Sequence, residues 1–184
     1  MSDVVVRTET DLPDAEATRA LGAALAGVLR AGDLVILTGD LGAGKTTLTQ
    51  GLGAALGVRG QVASPTFIVA REHPPLPREH GARGPALVHV DAYRLGNLGE
   101  LDALDLDSSL DESVTVVEWG RGLAEALTDD RLEIDLERPR GQAADATGVE
   151  GDEDADPGAG TRHATLRGVG ARWAGVDLAA LTST

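Results

Sequence analysis

The glycine-rich segment at residues 39–46, Gly-Asp-Leu-Gly-Ala-Gly-Lys-Thr, most limits what this chain can fold into. It follows the pattern G-x-x-x-x-G-K-[ST] and lies between an apolar, β-branched run at 34–38 and a helical pattern at 45–56. Glycines let the backbone turn tightly, so that successive N–H groups point at phosphate oxygens, with the positive end of the next helix dipole behind them. A purely structural turn needs neither Lys45 nor the Thr46 hydroxyl. The segment therefore predicts a phosphate-binding loop.

This predicted loop supplies both a cation and a metal ligand. Lys45 would neutralise the β- and γ-phosphate oxygens of a nucleoside triphosphate, and the Thr46 hydroxyl would bind the Mg²⁺ that bridges them. We therefore expect Lys45 to take part in catalysis as well as in binding. The predicted cofactor-binding residues of the loop are Asp40, Leu41, Gly42, Ala43, Gly44, Lys45, Thr46 and Thr47.

Apolar strands that alternate with helices indicate an α/β fold. Residues 34–38 are typical of a strand buried on both faces, and residues 14–30 and 45–56 have apolar positions at helical spacing. This alternation predicts a sheet with a parallel centre. The other predicted strands are 66–71, 86–90, 114–117, 132–136 and 164–167, and the shorter predicted helices are 100–106 and 123–127.

Two of the predicted strands run directly into a carboxylate, Asp91 in one case and Glu118 in the other. Ligands of a parallel α/β sheet bind at the carboxyl ends of its strands, so both side chains would face the triphosphate and hold Mg²⁺ or orient the attacking water. Each of them can equally cap the next helix or solvate a strand end. His89 alternates with buried valines, which favours a structural role for it.

Two further motifs leave alternatives open. Trp119 comes directly after Glu118, so its indole either packs on a purine base or fills the core. The segment 64–67, Ser-Pro-Thr-Phe, follows the helix of the loop. Its Thr66 hydroxyl either senses the γ-phosphate, as switch segments do, or belongs to a turn that opens a strand. From the residues alone, the turn is the simpler interpretation.

The charge of the chain excludes one class of partner. Thirty Asp and Glu residues against sixteen Lys and Arg give a formal net charge of −14 over 184 residues. Nucleic-acid affinity comes largely from Lys and Arg that displace counterions, so autonomous nucleic-acid binding is not expected. The chain has no Cys, which excludes disulfides and thiolate metal sites. Because a basic leader and a long apolar run are both missing, we expect no membrane partner and a cytoplasmic protein.

Two segments lack the apolar residues needed for packing. Residues 73–85 are rich in Pro and Gly and predict an exposed loop. Residues 139–160 combine six acids with Ala and Gly and predict a mobile acidic insertion, either a solvated linker or an interaction segment. Length and composition predict a single domain over residues 1–184 that carries this insertion.

Four motifs, taken in sequence order, resemble the TsaE family (older name YjeE), small bacterial ATPases required for threonylcarbamoyladenosine in tRNA. The motifs are GDLGAGKTT at 39–47, SPTF at 64–67, HVDAYRL at 89–95 and VEW at 117–119. The resemblance covers about residues 16–131, and neither unpacked segment interrupts a matched motif. It implies a P-loop NTPase-like three-layer fold with a mostly parallel central sheet and antiparallel C-terminal strands.

The resemblance also implies roles for individual residues. The loop would bind ATP, and Thr46 and Glu118 would hold Mg²⁺. Asp91 matches an acid implicated in hydrolysis, and Thr66 lies in the segment that matches a switch of the family. Trp119 matches a tryptophan near the adenine.

The function implied is that of an ATP-hydrolysing subunit, slow on its own, that acts through the TsaD and TsaB subunits to permit repeated turnover in tRNA modification. A small P-loop kinase that phosphorylates a metabolite is the alternative from another class. Such kinases close an Arg-rich lid over the phosphates, and no such segment is evident in this sequence. A third possibility is a nucleotide-dependent binding switch with negligible turnover.

Overall fold

The structure is a computed structural model, and it describes residues 4–63, 69–77, 84–139 and 160–182. The strands are β1 (Val4–Leu12), β2 (Leu34–Thr38), β3 (Ala70–His73), β4 (Ala86–Asp91), β5 (Ser113–Glu118), β6 (Arg131–Glu137) and β7 (Arg162–Val169). The α-helices are α1 (Ala15–Leu25), α2 (Lys45–Leu56), α3 (Leu98–Asp102) and α4 (Asp107–Leu110). Short 3-10 helices lie at Ala92–Arg94, Ala124–Ala126, Ala171–Trp173 and Ala179–Thr182.

The described strands form one seven-stranded sheet in the order β1-β7-β6-β2-β5-β4-β3. β2 pairs in parallel with both β5 and β6, and β4 pairs in parallel with β5. β3 runs antiparallel to β4, and β7 runs antiparallel to both β6 and β1. The sheet therefore confirms the predicted α/β class, with a parallel centre and antiparallel C-terminal strands.

β2 is buried on both faces, as its apolar sequence predicts. Val35 and Leu37 belong to the core that contains the apolar residues of α1 and α2. Leu34 and Ile36 belong to a second core on the opposite face, which contains Leu101 of α3. The centre of the sheet is consequently the middle of three layers.

The helix predicted at 14–30 is shorter in the structure than in the sequence-based prediction. It begins where Asp14 caps it, with the Asp14 carboxylate accepting a hydrogen bond of 2.8 Å from the Ala17 N–H. It ends at Leu25, after which Gly27 donates to the carbonyl three residues earlier and tightens the last turn. Glycine is a poor helix former, which accounts for the early end. The helix predicted at 45–56 is confirmed at both ends.

The N-terminal strand β1 is missing from the sequence-based prediction. Its side chains are mostly exposed or half-buried, because β1 is an edge strand that pairs only with β7. That pairing joins the two ends of the chain, for example Leu12 with Arg162. A run of Val and Thr in Val4–Leu12 is the local signal that indicates a strand here.

The smaller predicted elements differ in their limits. The helix predicted at 100–106 is divided into α3 and α4 around Asp105, whose φ of 51° is left-handed. The segment 123–127 contains a 3-10 helix rather than an α-helix. β3 lies later than the strand predicted at 66–71, and residues 64–68 are outside the described residues. Within the described ranges, every helix is too short or too polar to cross a membrane.

Parts of the two segments predicted not to pack are described. His73 is buried at the end of β3, and Pro75 bridges to Val58 after α2, so the start of the segment 73–85 is not a free loop. The acidic stretch connects β6 to β7, which pair antiparallel. Its residues 140–159 lie outside the described residues, so its mobility stays a prediction.

The close contact between α1 and α2 depends on glycine. A Cβ on Gly51 of α2 would overlap the backbone carbonyl of Arg19 in α1, a group that cannot move without disturbing the helix. This packing fixes the position of α2, whose first turn contains Lys45 and Thr46.

We predict that Gly51→Ala lowers the free energy of unfolding by about 1–3 kcal/mol, the usual cost of overpacking. The clash outweighs the higher helix propensity of alanine, worth about 1 kcal/mol. Urea denaturation measures the change. Gly175→Ala, where a Cβ has open space, is the control and should change stability by no more than about 0.5 kcal/mol. A Gly51→Ala protein as stable as the wild type would contradict this account of the helix packing.

Candidate functional site

The predicted phosphate-binding loop connects β2 to α2. Gly44 precedes α2 as its N-cap with a φ of 107°, a conformation that glycine adopts without strain. A Cβ on Gly44 would also lie 3.3 Å from the Thr18 methyl group of α1. No side chain among the described residues caps the start of α2. The first N–H groups and the positive end of the helix dipole are therefore left for an external anion.

Lys45 is the one lysine of the chain, and its side chain is only 5% exposed. Its Nζ donates hydrogen bonds to the carbonyl oxygens of Gly39 and Asp40, at 2.8 and 3.1 Å. The same atom lies 4.1 Å from the ring centre of Trp119, within the range of a cation–π interaction. The cation is thus held at the loop by two carbonyls and an aromatic ring.

Burial and nearby charges act on Lys45 in opposite directions. Burial lowers the pKa of its ammonium group, because removal from water disfavours the charged form. Three carboxylates oppose that lowering of the pKa, and they are Glu118, Asp91 and Asp40. The net effect is a pKa below the ordinary value of a lysine.

Glu118 joins three elements of the site. Its Oε1 accepts a hydrogen bond of 3.0 Å from the Thr46 hydroxyl at the start of α2. The same oxygen lies 2.8 Å from Nε2 of His89 on β4. Glu118 is 3% exposed and His89 is fully buried, so both contacts are shielded from water.

Asp91 lies beside Glu118 in the sheet. The two residues end β4 and β5 and are paired in register. Asp91 is half-buried, and its Oδ1 accepts a hydrogen bond of 3.0 Å from the Tyr93 N–H. Asp91 caps the 3-10 helix Ala92–Arg94, which is one of the two interpretations left open by the sequence, and it also acts electrostatically on Lys45. Its role toward Mg²⁺ or an attacking water stays a prediction.

Trp119 lies over the loop. It is half-buried with a φ of 60°, and its indole contacts Tyr93 at 5.1 Å between ring centres as well as Lys45. Tyr93 is itself 69% exposed. The indole therefore forms an aromatic surface beside the Lys45 ammonium group. Its contact with adenine stays a prediction.

The predicted site residues fall into three groups. Lys45, Thr46, Glu118, Asp91 and Trp119 converge at the carboxyl ends of β2, β4 and β5. The tip of the loop is exposed to solvent and consists of Asp40, Leu41 and Gly42. Of the other predicted loop residues, Ala43 is buried in the core and Thr47 is half-buried. Thr66, the third predicted catalytic residue, lies outside the described residues.

The oxygen donors at the site fit Mg²⁺. The Thr46 hydroxyl and the Glu118 carboxylate are hard ligands that lie within hydrogen-bond distance of each other. In the described parts of the chain, no cluster of three or more His, Cys, Asp or Glu residues could hold a metal by itself. Mg²⁺ usually binds one or two protein oxygens together with substrate phosphates, which matches this small donor set.

Sequence reasoning missed three residues of the site. His89 contacts Glu118 although its alternation with valines favours a structural role. Thr18 and Arg162 both border Gly44, with the Arg162 Nε 3.5 Å from a Cβ placed there. Both side chains are buried, and no motif surrounds either one. Only the folding of α1 and β7 against the loop reveals them.

The fold and the loop together define a P-loop-type α/β protein, in which a phosphate loop follows the central strand and carboxylates end the neighbouring strands. The family model described as "Threonylcarbamoyl adenosine biosynthesis protein TsaE" matches residues 12–145. The chain belongs to the TsaE family, whose members take part in the biosynthesis of threonylcarbamoyladenosine in tRNA.

Individual relatives support this assignment. A tRNA threonylcarbamoyladenosine biosynthesis protein TsaE from Streptomyces coelicolor is 54% identical over 164 residues, which cover 89% of this chain and 98% of the relative. The protein of that name from Bacillus subtilis is 37% identical over 124 residues, covering 67% and 73% of the two chains. The crystal structure of Bacillus subtilis YdiB has a TM-score of 0.60 and 28% identity, covering 94% of this chain and 90% of YdiB.

Proposed function

We propose that this protein binds ATP with Mg²⁺ at the loop before α2 and hydrolyses it to ADP and phosphate, in support of threonylcarbamoyladenosine formation in tRNA. The observation that carries this proposal is the convergence of one buried lysine, one helix N-terminus and two strand-end carboxylates at a single edge of the sheet. A buried cation beside uncapped N–H groups suits a polyanion such as a triphosphate.

Each side chain of the site has a role that follows from its chemistry. Lys45 and the N-terminus of α2 bind the β- and γ-phosphates, and Lys45 exchanges its loop carbonyl partners for phosphate oxygens. Thr46 and Glu118 hold Mg²⁺, which when bound neutralises charge on the phosphates. Asp91, at the end of the next strand, orients the attacking water. Trp119 offers its indole to the nucleotide, including the adenine.

In this proposal the chain acts on tRNA through partner proteins, and the family resemblance implies that these are the TsaD and TsaB subunits. A net charge of −14 disfavours direct contact with RNA. The arginines on β6 and β7 do not offer a basic surface to RNA, because Arg167 pairs with Asp135, Arg131 pairs with Glu133 and Arg162 is buried. The protein therefore contributes no atoms to the modified base.

We predict that ATP protects Lys45 from chemical modification. The lowered pKa leaves a larger neutral fraction of this amine at pH 8 than an ordinary lysine has, so it should react with formaldehyde and a hydride donor in proportion to its access. Bound phosphates would cover the amine and raise its pKa. Because the chain has one lysine, mass spectrometry reads this residue directly, and the terminal α-amino group is the internal reference.

Lys45→Ala should abolish ATP binding in calorimetry, because the loop then loses its full charge. Equal modification of Lys45 with and without ATP, or unchanged affinity in Lys45→Ala, would contradict the proposed site.

We predict different defects for the two carboxylates. Glu118→Ala should weaken ATP binding in the presence of Mg²⁺ and leave the weaker binding in EDTA unchanged. Asp91→Ala should keep Mg²⁺-ATP affinity and reduce the hydrolysis rate about 100-fold or more, the usual size of a general-base contribution. Calorimetry and phosphate release measure the two quantities. Exchanged phenotypes would show that the two roles are reversed.

We predict that repeated turnover in a reconstituted modification assay requires this protein and hydrolysable ATP. The assay contains TsaD, TsaB, tRNA and threonylcarbamoyl-adenylate, and Lys45→Ala serves as the inactive variant. Released phosphate and ADP support an ATPase, whereas a phosphorylated metabolite would support a small P-loop kinase. Nucleotide-dependent binding to the partners without phosphate release would support a switch. Full turnover without the protein would refute the proposed role.

A further inference from the structure

His89 is a buried side chain that the proposed mechanism does not use. It lies in β4 next to β5, where it is paired with Val116, and Glu118 follows two residues later on the same face of the sheet. The register thus brings the imidazole and the carboxylate together without any contribution from loops. The Nε2 to Oε1 distance is 2.8 Å.

We propose that His89 is a positioning residue that holds the Glu118 carboxylate in the orientation needed to bind Mg²⁺. This inference rests on the proposed function, since it concerns the metal side of the same nucleotide site. A side chain that orients a metal ligand from behind commonly governs metal affinity almost as strongly as the ligand itself.

The hydrogen-bond chemistry assigns the proton of this contact. An ionised carboxylate only accepts, so His89 donates through Nε2–H to Glu118. The other ring nitrogen, Nδ1, is buried and has no hydrogen-bond partner among the described residues. Among the described residues, Glu118 is therefore the polar group to which the imidazole ring forms a hydrogen bond. A histidine that only filled the core would bury the unpaired Nδ1 acceptor at a cost in stability, and no hydrogen bond to a functional group would offset that cost.

The arrangement also orients Thr46. Its hydroxyl has a single proton, and that proton is donated to the same Glu118 oxygen that His89 holds. The lone pairs of the Thr46 oxygen are then directed away from Glu118 and remain available to a cation. Loss of His89 would free the carboxylate to rotate and disorder both proposed Mg²⁺ ligands.

The chain provides a matched control. His73, on the neighbouring strand β3, is also buried, and its Nδ1 lies 3.3 Å from the Arg59 carbonyl oxygen. Its hydrogen bond is to that carbonyl and not to Glu118, and it acts on His89 only electrostatically. A change at His73 therefore reproduces the loss of a buried imidazole from the sheet without removing a hydrogen bond to Glu118.

The experiment measures the affinity of a non-hydrolysable ATP analogue by calorimetry, with Mg²⁺ and with EDTA, and takes the ratio of the two. His89→Ala should reduce this ratio about 10- to 100-fold, with little change in EDTA. His89→Gln should restore most of it, because the amide N–H can donate to the carboxylate. His73→Ala should keep the wild-type ratio. Thermal unfolding of each variant establishes that all titrations lie below its midpoint.

A double variant separates positioning from general destabilisation. In a Glu118→Ala background, His89→Ala should cause no further loss of the ratio, because its effect passes through the missing carboxylate. An unchanged ratio in His89→Ala would overturn the inference, as would an equal loss with and without Mg²⁺ or a loss that His89→Gln does not rescue. A wild-type protein that binds no analogue in either condition would instead overturn the proposed function.

Discussion

β2 is enclosed on every side. Its side chains face two separate cores, and β5 and β6 pair with its two edges. The strand therefore cannot shift without breaking a core or a ladder of hydrogen bonds. The loop that leaves it at Thr38, and the helix α2 that follows, start from this fixed point. The site depends on it, because a phosphate loop binds through backbone groups whose positions must be set in advance.

The parallel strands beside β2 deliver the charged groups to the same edge. Glu118 ends one of them and Asp91 the next, so the sheet register alone places two carboxylates within electrostatic reach of Lys45. Burial of the lysine carries a desolvation cost, which lowers the pKa of its amine. Loop carbonyls and the Trp119 ring offset part of this cost. Such a buried cation is typical of a functional site rather than of a core optimised for stability.

Membership of the TsaE family gives this arrangement a biological setting in tRNA modification. The net charge of −14 and the glycine-rich loop are consistent with the proposed function, in which the chain would contribute an ATP-dependent step and other proteins would hold the RNA. His89 is a further residue of this proposed site. It contacts Glu118 from the neighbouring strand, so in the proposed site it would affect metal binding through the carboxylate.

The sequence by itself determined the central strand, the loop, the helix α2 and the five residues that converge on the loop. These features are local, because each can be recognised within a few consecutive residues. They are a run of β-branched residues, a glycine pattern, and a carboxylate at the end of an apolar strand. The same local interpretation misplaced the end of α1 and missed β1, although the run of Val and Thr in β1 is itself a strand signal.

Only the tertiary structure decided which distant side chains join the site. His89 has the sequence context of a core residue, and it becomes a partner of Glu118 because the register of β4 against β5 brings the two together. Arg162 and Thr18 reach Gly44 because β7 and α1 fold against the loop from opposite ends of the chain. Such contacts depend on strand order and helix packing, which are set by the summed burial of the whole chain rather than by any short motif.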